Sequence, residues 1–231
     1  DPDDFARQLE RDLRAFCEAH VPALRSDAPE PGSWTRDESP FRGLLAFRPE
    51  HAPVFFGRRA ARERLLAQCE RQAAAGRAFV LILGQSGCGK SSLVQAGLVP
   101  WLRSVGAGGI AAGCWHWARL QPGAAGDGLL PALAATLLGL EVVRSGLSDS
   151  GYGAAADLAD LLHRLADPSD HALLHRPLRA AVAQDARVLL FIDQFEELFA
   201  PGGPDAAAQT AFVAALAALA ASERVWVVAT L

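Results

Sequence analysis

The chain of 231 residues contains no methionine and a single tyrosine, and aromatic residues make up only 7% of it. A core built from it must therefore rest mainly on aliphatic side chains and alanine. There is no basic excess: 22 Lys and Arg stand against 26 Asp and Glu, a formal net charge of −4. That balance lacks the basic footprint of a nucleic-acid binder, although it leaves room for a local basic site. Cys17, Cys69, Cys88 and Cys114 include no C-x-x-C pair, so they read as free thiols in a reducing compartment, and a cytoplasmic location is expected. No apolar run approaches the roughly 18 residues of a membrane span. The opening, "DPDDFARQLERD", is acidic and amphipathic, unlike a signal peptide. The missing methionine and the closing apolar stretch "RVWVVATL" lead us to expect a fragment of a longer polypeptide.

What is present is apolar and alternating. Residues of the apolar classes make up 51% of the chain, enough for a sizeable core. Phe5, Leu9, Leu13 and Phe16 recur at helical spacing, so an amphipathic helix is expected over 3–19. "SDAPEPGSWTRDESP", 26–40, is rich in Pro, Ser, Gly and charge and reads as a linker. Residues 1–39 are thus expected to be a connector or the tail of a preceding domain, and 40–231 a second domain. Within the latter, strands are expected at 78–83, 114–120, 187–192 and 224–230. Helices are expected at 58–74, at 90–103 with a halt near Pro100 or just after, and at 127–139, 155–166, 171–183 and 205–222. The glycine-rich segments 104–113 and 140–156 read as loops, with turns at Gly146, Gly151, Gly153 and Pro168. Fully apolar strands alternating with helices predict a mostly parallel sheet covered on both faces, an α/β fold in three layers.

Two motifs carry chemistry. Gly84-Gln85-Ser86-Gly87-Cys88-Gly89-Lys90-Ser91 fits G-x-x-x-x-G-K-[ST] at every fixed position, with a strand before it and a helix after it. Glycines allow the tight turn that aims backbone N–H groups at a phosphate, and the following helix start adds partial positive charge. Lys90 is expected to reach the β- and γ-phosphates, and Ser91 to hold Mg²⁺ through its hydroxyl. Ser92 and Cys88 are neighbours in the same cradle.

The second motif is "VLLFIDQFEELF", 188–199. An apolar strand ends in Asp193, the form expected of a carboxylate that contacts Mg²⁺ beside the phosphate loop. If the chain turns helical there, Glu196 or Glu197 projects back toward the γ-phosphate and orients the attacking water. Gln194 occupies the position directly after the aspartate, so either glutamate remains a candidate; the reading leans to Glu196. Thr230 ends the last strand and is a candidate sensor of the γ-phosphate.

Four blocks, "PFRGLLAFRPEHAPVFFGRRAARERL", "LGQSGCGKSSLVQAGLVPWL", "ARLQPG" and "LLFIDQFEELF", occur in that order. Together they resemble the bacterial novel STAND NTPases, relatives of AAA+ proteins, over about residues 40–231. The resemblance implies ATP or ADP with Mg²⁺ as ligands and a P-loop core of the ASCE/STAND type, truncated before a winged-helix region. It implies that Phe56, Gly57 and Arg58 lie near the adenine; by themselves these residues would read as a hydrophobic staple before a helix. It marks "RLQPG" as a family block, whose Arg119 is left as a structural residue. It further implies a nucleotide-dependent homo-oligomer with fused effector and sensor domains, in bacterial signalling or defence against phage. An ATP-driven, slowly hydrolysing switch is the function expected. A non-catalytic nucleotide-binding scaffold and a P-loop kinase remain alternatives; a GTPase is weaker, because no N-K-x-D is visible.

Overall fold

Each apolar run expected to be a strand is one in the computed structural model, which describes residues 43, 45–126, 128–149, 167 and 185–231. The strands are β1 (Phe79–Ile82), β2 (Trp115–Leu120), β3 (Arg187–Ile192) and β4 (Val225–Thr230). Among the described residues they form a four-stranded sheet in the order β1-β4-β3-β2, with every neighbouring pair parallel. β4 thus lies between the strand that precedes the glycine turn and the strand that ends at Asp193.

Alternation along β3 and β4 explains why 188–192 and 225–229 are apolar without a break. Val188, Leu190 and Ile192, with Val225, Val227 and Ala229, pack into one buried cluster. Leu189 and Phe191, with Trp226 and Val228, pack into another on the opposite face. A strand covered on both sides has no position at which a polar residue is free of cost. The first cluster is closed by α4 (Leu129–Leu138) and α6 (Ala206–Ala221), through Leu133, Leu137, Phe212, Leu216 and Leu219. The second is closed by α1 (Arg59–Ala74), through Leu65 and Cys69, and by the helical segment after the glycine turn, through Val94, Leu98 and Leu102. Burial pushes the Cys69 thiol up to about 12, so it remains protonated and acts as a packing residue. The result is the expected three layers. Asp205 caps α6 by accepting from the Ala208 amide, which satisfies one of the free donors of its first turn.

The helix after the glycine turn passes through Pro100 and ends at Ser104, in line with the expected helix over 90–103. It starts as α2 (Lys90–Ser92), widens into a π-helical stretch (Leu93–Leu98) and returns to the α form as α3 (Val99–Ser104). A proline in a regular α-helix loses one bond and presses its ring on the carbonyl four residues back. The wider winding just before Pro100 removes that constraint, so the helix passes through it. One expectation is corrected: 140–156 is not a loop throughout, because α5 spans Glu141–Asp149 and includes Gly146. Val143 anchors it, 1% exposed against the first cluster. Burial of that kind outweighs the roughly 1 kcal/mol that one glycine costs a helix. The segment after α3 is irregular, as expected, with Ala107 and Ile110 joined by a short bridge. The expected helices at 3–19, 155–166 and 171–183, the linker at 26–40, the domain boundary after residue 39 and the turns at Gly151, Gly153 and Pro168 lie outside the described residues.

Candidate functional site

Four parallel strands place all their C-terminal ends on one edge of the sheet. Gly84 follows β1, Arg119 is the last residue but one of β2, Asp193 follows β3, and Thr230 closes β4. Pairing continues to that edge: the Gly84 amide donates to the Leu231 carbonyl at 3.2 Å and the Asp193 amide to the Leu120 carbonyl at 2.8 Å. Crevices at such an edge are where open α/β sheets bind ligands.

The glycine turn is exposed from Gly84 to Cys88. Gly87 and Gly89 have φ of +78° and +88°, a left-handed region that side chains rarely occupy. Lys90 donates to the carbonyls of Gly84 at 2.6 Å and Gln85 at 3.0 Å, which holds its ammonium within the turn. Arg58, just before α1, donates to the Cys88 carbonyl at 3.2 Å, so the segment Phe56-Gly57-Arg58 is tied to the turn. Phe56 itself is 74% exposed and Gly57 takes φ of +76°. Ser92 is buried, and its hydroxyl accepts from the Phe47 amide at 3.0 Å. It anchors the incoming chain from inside the helix.

The second half of the site is polar and closed. Asp193 is 2% exposed. Its Oδ1 accepts from Ser91 Oγ at 2.6 Å and from Thr230 Oγ1 at 3.0 Å. Its Oδ2 accepts from Arg119 Nε at 2.9 Å, and the Arg119 terminal nitrogen lies 2.7 Å from the same oxygen as an ion pair. Thr230 also accepts from the Gln194 amide at 3.0 Å. That bond holds Gln194 at φ of +57°, one of two non-glycine residues with positive φ among the described residues. The chain then enters a 3₁₀ turn, Phe195–Phe199.

The two candidate glutamates have different surroundings. Glu196 is exposed. Glu197 is half-buried; it accepts from Gln121 Nε2 at 2.9 Å and from the Gly123 amide at 2.7 Å. A methyl group on Gly123 would come within 2.6 Å of a Glu197 carboxylate oxygen, so a larger residue there would push that carboxylate aside. Gln121 also donates to Gln194 at 2.5 Å and accepts from Arg119 at 3.0 Å. The "RLQPG" block, whose chemistry was not legible, is thus a belt: Arg119, Gln121 and Gly123 connect Asp193, Gln194 and Glu197. Arg119 is the residue that sequence reasoning undervalued. Its only signal was its place at the end of a strand parallel to the one that ends at Asp193.

Ser91 and Asp193 together present a hydroxyl and a carboxylate, hard oxygen donors suited to a divalent cation such as Mg²⁺. Among the described residues, no cluster of three His, Cys, Asp or Glu side chains is placed to hold a metal. Mg²⁺ that is shared with phosphates needs no such cage, because it keeps waters and takes one or two protein ligands. Among the described residues, no helix is long and apolar enough to cross a membrane.

The family model described as Novel STAND NTPase 1 matches residues 40–231. No curated protein and no solved structure matches the chain.

Proposed function

The chain belongs to the novel STAND NTPases, and from that premise we propose that it is an ATP-binding, slowly hydrolysing switch. In this reading residues 40–231 form the NTPase core and 1–39 a connector. The nucleotide state sets oligomerisation and the activity of a fused effector, in bacterial signalling or defence against phage. One observation carries the site assignment: Ser91 Oγ lies 2.6 Å from Asp193 Oδ1, joining the glycine turn to the end of β3 across 102 residues of sequence. A chance lysine in a glycine-rich turn does not require that juxtaposition.

Residue by residue, the backbone of Gly84 to Lys90 cradles the phosphates. Lys90 exchanges its two carbonyl partners for phosphate oxygens, a charge-assisted contact stronger than either. Ser91 and Asp193 hold Mg²⁺, which neutralises charge on the β- and γ-phosphates when bound. Glu197 is committed to the Gln121–Gly123 belt, so water orientation falls to Glu196 in this reading. Thr230, bonded to both Asp193 and Gln194, relays the state of the γ-phosphate rather than contacting it alone. Phe56, Gly57 and Arg58 form the adenine side, with Arg58 already joined to the turn. A ligand moves a two-state equilibrium only by its differential affinity, and these γ-phosphate contacts provide it.

The commitment of Glu197 and the glutamine directly after Asp193 favour one alternative, a scaffold that binds nucleotide without turning it over. Titration of the chain with a fluorescent ATP analogue and Mg²⁺, together with a phosphate-release assay, separates the readings. Lys90→Ala should weaken binding by about tenfold or more, the cost of one charge-assisted contact of 1.5–3 kcal/mol. Unaltered binding in that variant would remove the site assignment. Glu196→Gln should leave binding intact and slow release by about a hundredfold, the contribution of a positioned general base. Tight binding with release that Glu196→Gln does not change would establish the scaffold instead.

A further inference from the structure

Asp193 is already engaged by three hydrogen bonds and an ion pair. An ionised carboxylate offers about four lone-pair positions. Two are taken at Oδ1 by Ser91 and Thr230 and one at Oδ2 by Arg119 Nε, with the Arg119 terminal nitrogen 2.7 Å from Oδ2 as an ion pair. The single negative charge is matched by a single positive one. A divalent cation seated between Ser91 and Asp193 would draw on the same carboxylate, at close quarters to the guanidinium. Two cations near one buried anion repel.

The pair is also lopsided. The Asp193 side chain is 3% exposed and that of Arg119 is 40% exposed. Arg119 can swing into water and be hydrated; Asp193 cannot, and stripping it of all cations would leave a buried charge unpaired. Whichever cation is present, the carboxylate must have one. Arg119 is also the link to Gln121, which holds Gln194 and Glu197. Loosening it frees the end of the belt around the 3₁₀ turn.

Building on the nucleotide site described above, we propose that Arg119 is a built-in counter-cation of Asp193 that a divalent metal must displace or weaken to bind. Arg119 is a positioning residue in this sense: it sets how much metal the site needs, and it ties metal occupancy to the loop 121–124.

The test does not depend on turnover. Mn²⁺ binding to the chain is measured by electron paramagnetic resonance without nucleotide, for the wild type and for Arg119→Gln, Arg119→Ala and Arg119→Lys. Arg119→Gln keeps hydrogen-bonding capacity and volume, so it covers the case in which Arg119→Ala fails to fold. Arg119→Gln should bind Mn²⁺ about fivefold more tightly or better, the lower range of coupling energies between sites. Arg119→Lys keeps the charge and should stay near the wild type. Adding Asp193→Asn to Arg119→Gln should abolish the gain. Equal or weaker Mn²⁺ binding in Arg119→Gln, or no detectable binding in any variant, overturns the proposal. ATP binding by the wild type is measured separately. If it is absent while the Mn²⁺ gain is present, the nucleotide reading fails and the counter-cation stands; if ATP binds and the gain is missing, only the counter-cation falls.

Discussion

Two turns leave the same edge of the sheet, one after β1 and one after β3, and they are built on opposite plans. The first is made of glycine and is open to solvent, and its one charged side chain, Lys90, has only its own backbone carbonyls as partners. The second contains no glycine. It buries a carboxylate that receives bonds from three other segments of the chain, and it forces Gln194 into a left-handed conformation. The contrast separates two tasks that are easily merged under the heading of a nucleotide site. On the proposed reading the glycine turn is the part that meets the ligand, so its residues should matter for affinity and little for stability. The β3 turn is a finished polar network, so its residues should matter for stability even where no ligand is present.

The largest effect that would break this contrast concerns Asp193 and Lys90. Asp193→Ala removes the acceptor for the buried Thr230 hydroxyl and for Ser91, and separates Arg119 from its counter-charge. A loss of about 2–3 kcal/mol is expected, because buried groups left unpaired carry most of the cost while Arg119 can rehydrate. Lys90→Ala should change stability by less than about 0.5 kcal/mol, as for surface substitutions generally. Urea unfolding of both variants without nucleotide measures this. Equal losses would mean that the glycine turn is part of the structural network after all.

The same contrast explains what was legible in the sequence. Gly84, Gly87, Gly89, Lys90 and Ser91 are readable because the proposed phosphate cradle imposes fixed backbone needs at fixed spacing, all within eight residues. Asp193 is readable because a strand buried on both faces tolerates an acid only at its end. Both are local signals. The belt of Arg119, Gln121, Gly123 and Glu197 is not local: its members lie 74 and 76 residues apart in sequence and follow no period. Nothing in "RLQPG" says which acid its glycine must approach. Glu196 and Glu197 are adjacent acids, and only the path of the 3₁₀ turn decides that one is tied down and the other is not. The helix error has the same origin: Gly146 argued against α5, but Val143 packing overrode it.

The two glutamates sharpen the comparison at an intermediate scale. Glu197→Gln keeps the shape and removes the charge from two hydrogen bonds, one of them to the backbone of Gly123. It should cost about 1–2 kcal/mol, in the range of a charge-assisted bond weakened but not deleted. Glu196→Gln should be neutral within about 0.5 kcal/mol. Thermal melting of the two variants side by side decides the matter. A destabilised Glu196→Gln with an unaffected Glu197→Gln would reverse their roles, and with it the assignment of the water-orienting residue.

The smallest effects test the backbone itself. Gly87 sits at φ of +78° with no atom within 4 Å of the place where a methyl group would be, so Gly87→Ala meets strain but no clash. A cost of about 1 kcal/mol follows from the left-handed conformation alone. Gln194 poses the inverse case, a side chain already held at φ of +57°. Gln194→Ala loses the bond from Gln121 and keeps the strain; Gln194→Gly loses the same bond and relieves it. Glycine also gives the unfolded chain more freedom, which offsets part of the relief. Gln194→Gly should still be more stable than Gln194→Ala by a few tenths of a kcal/mol, the opposite of the order at ordinary positions, where alanine is better. The sign alone is informative. If alanine is the more stable of the two, the turn after β3 relaxes out of its left-handed form without cost. The Thr230 hydroxyl then does not hold it, and the β3 turn would be as adaptable as the glycine turn beside it.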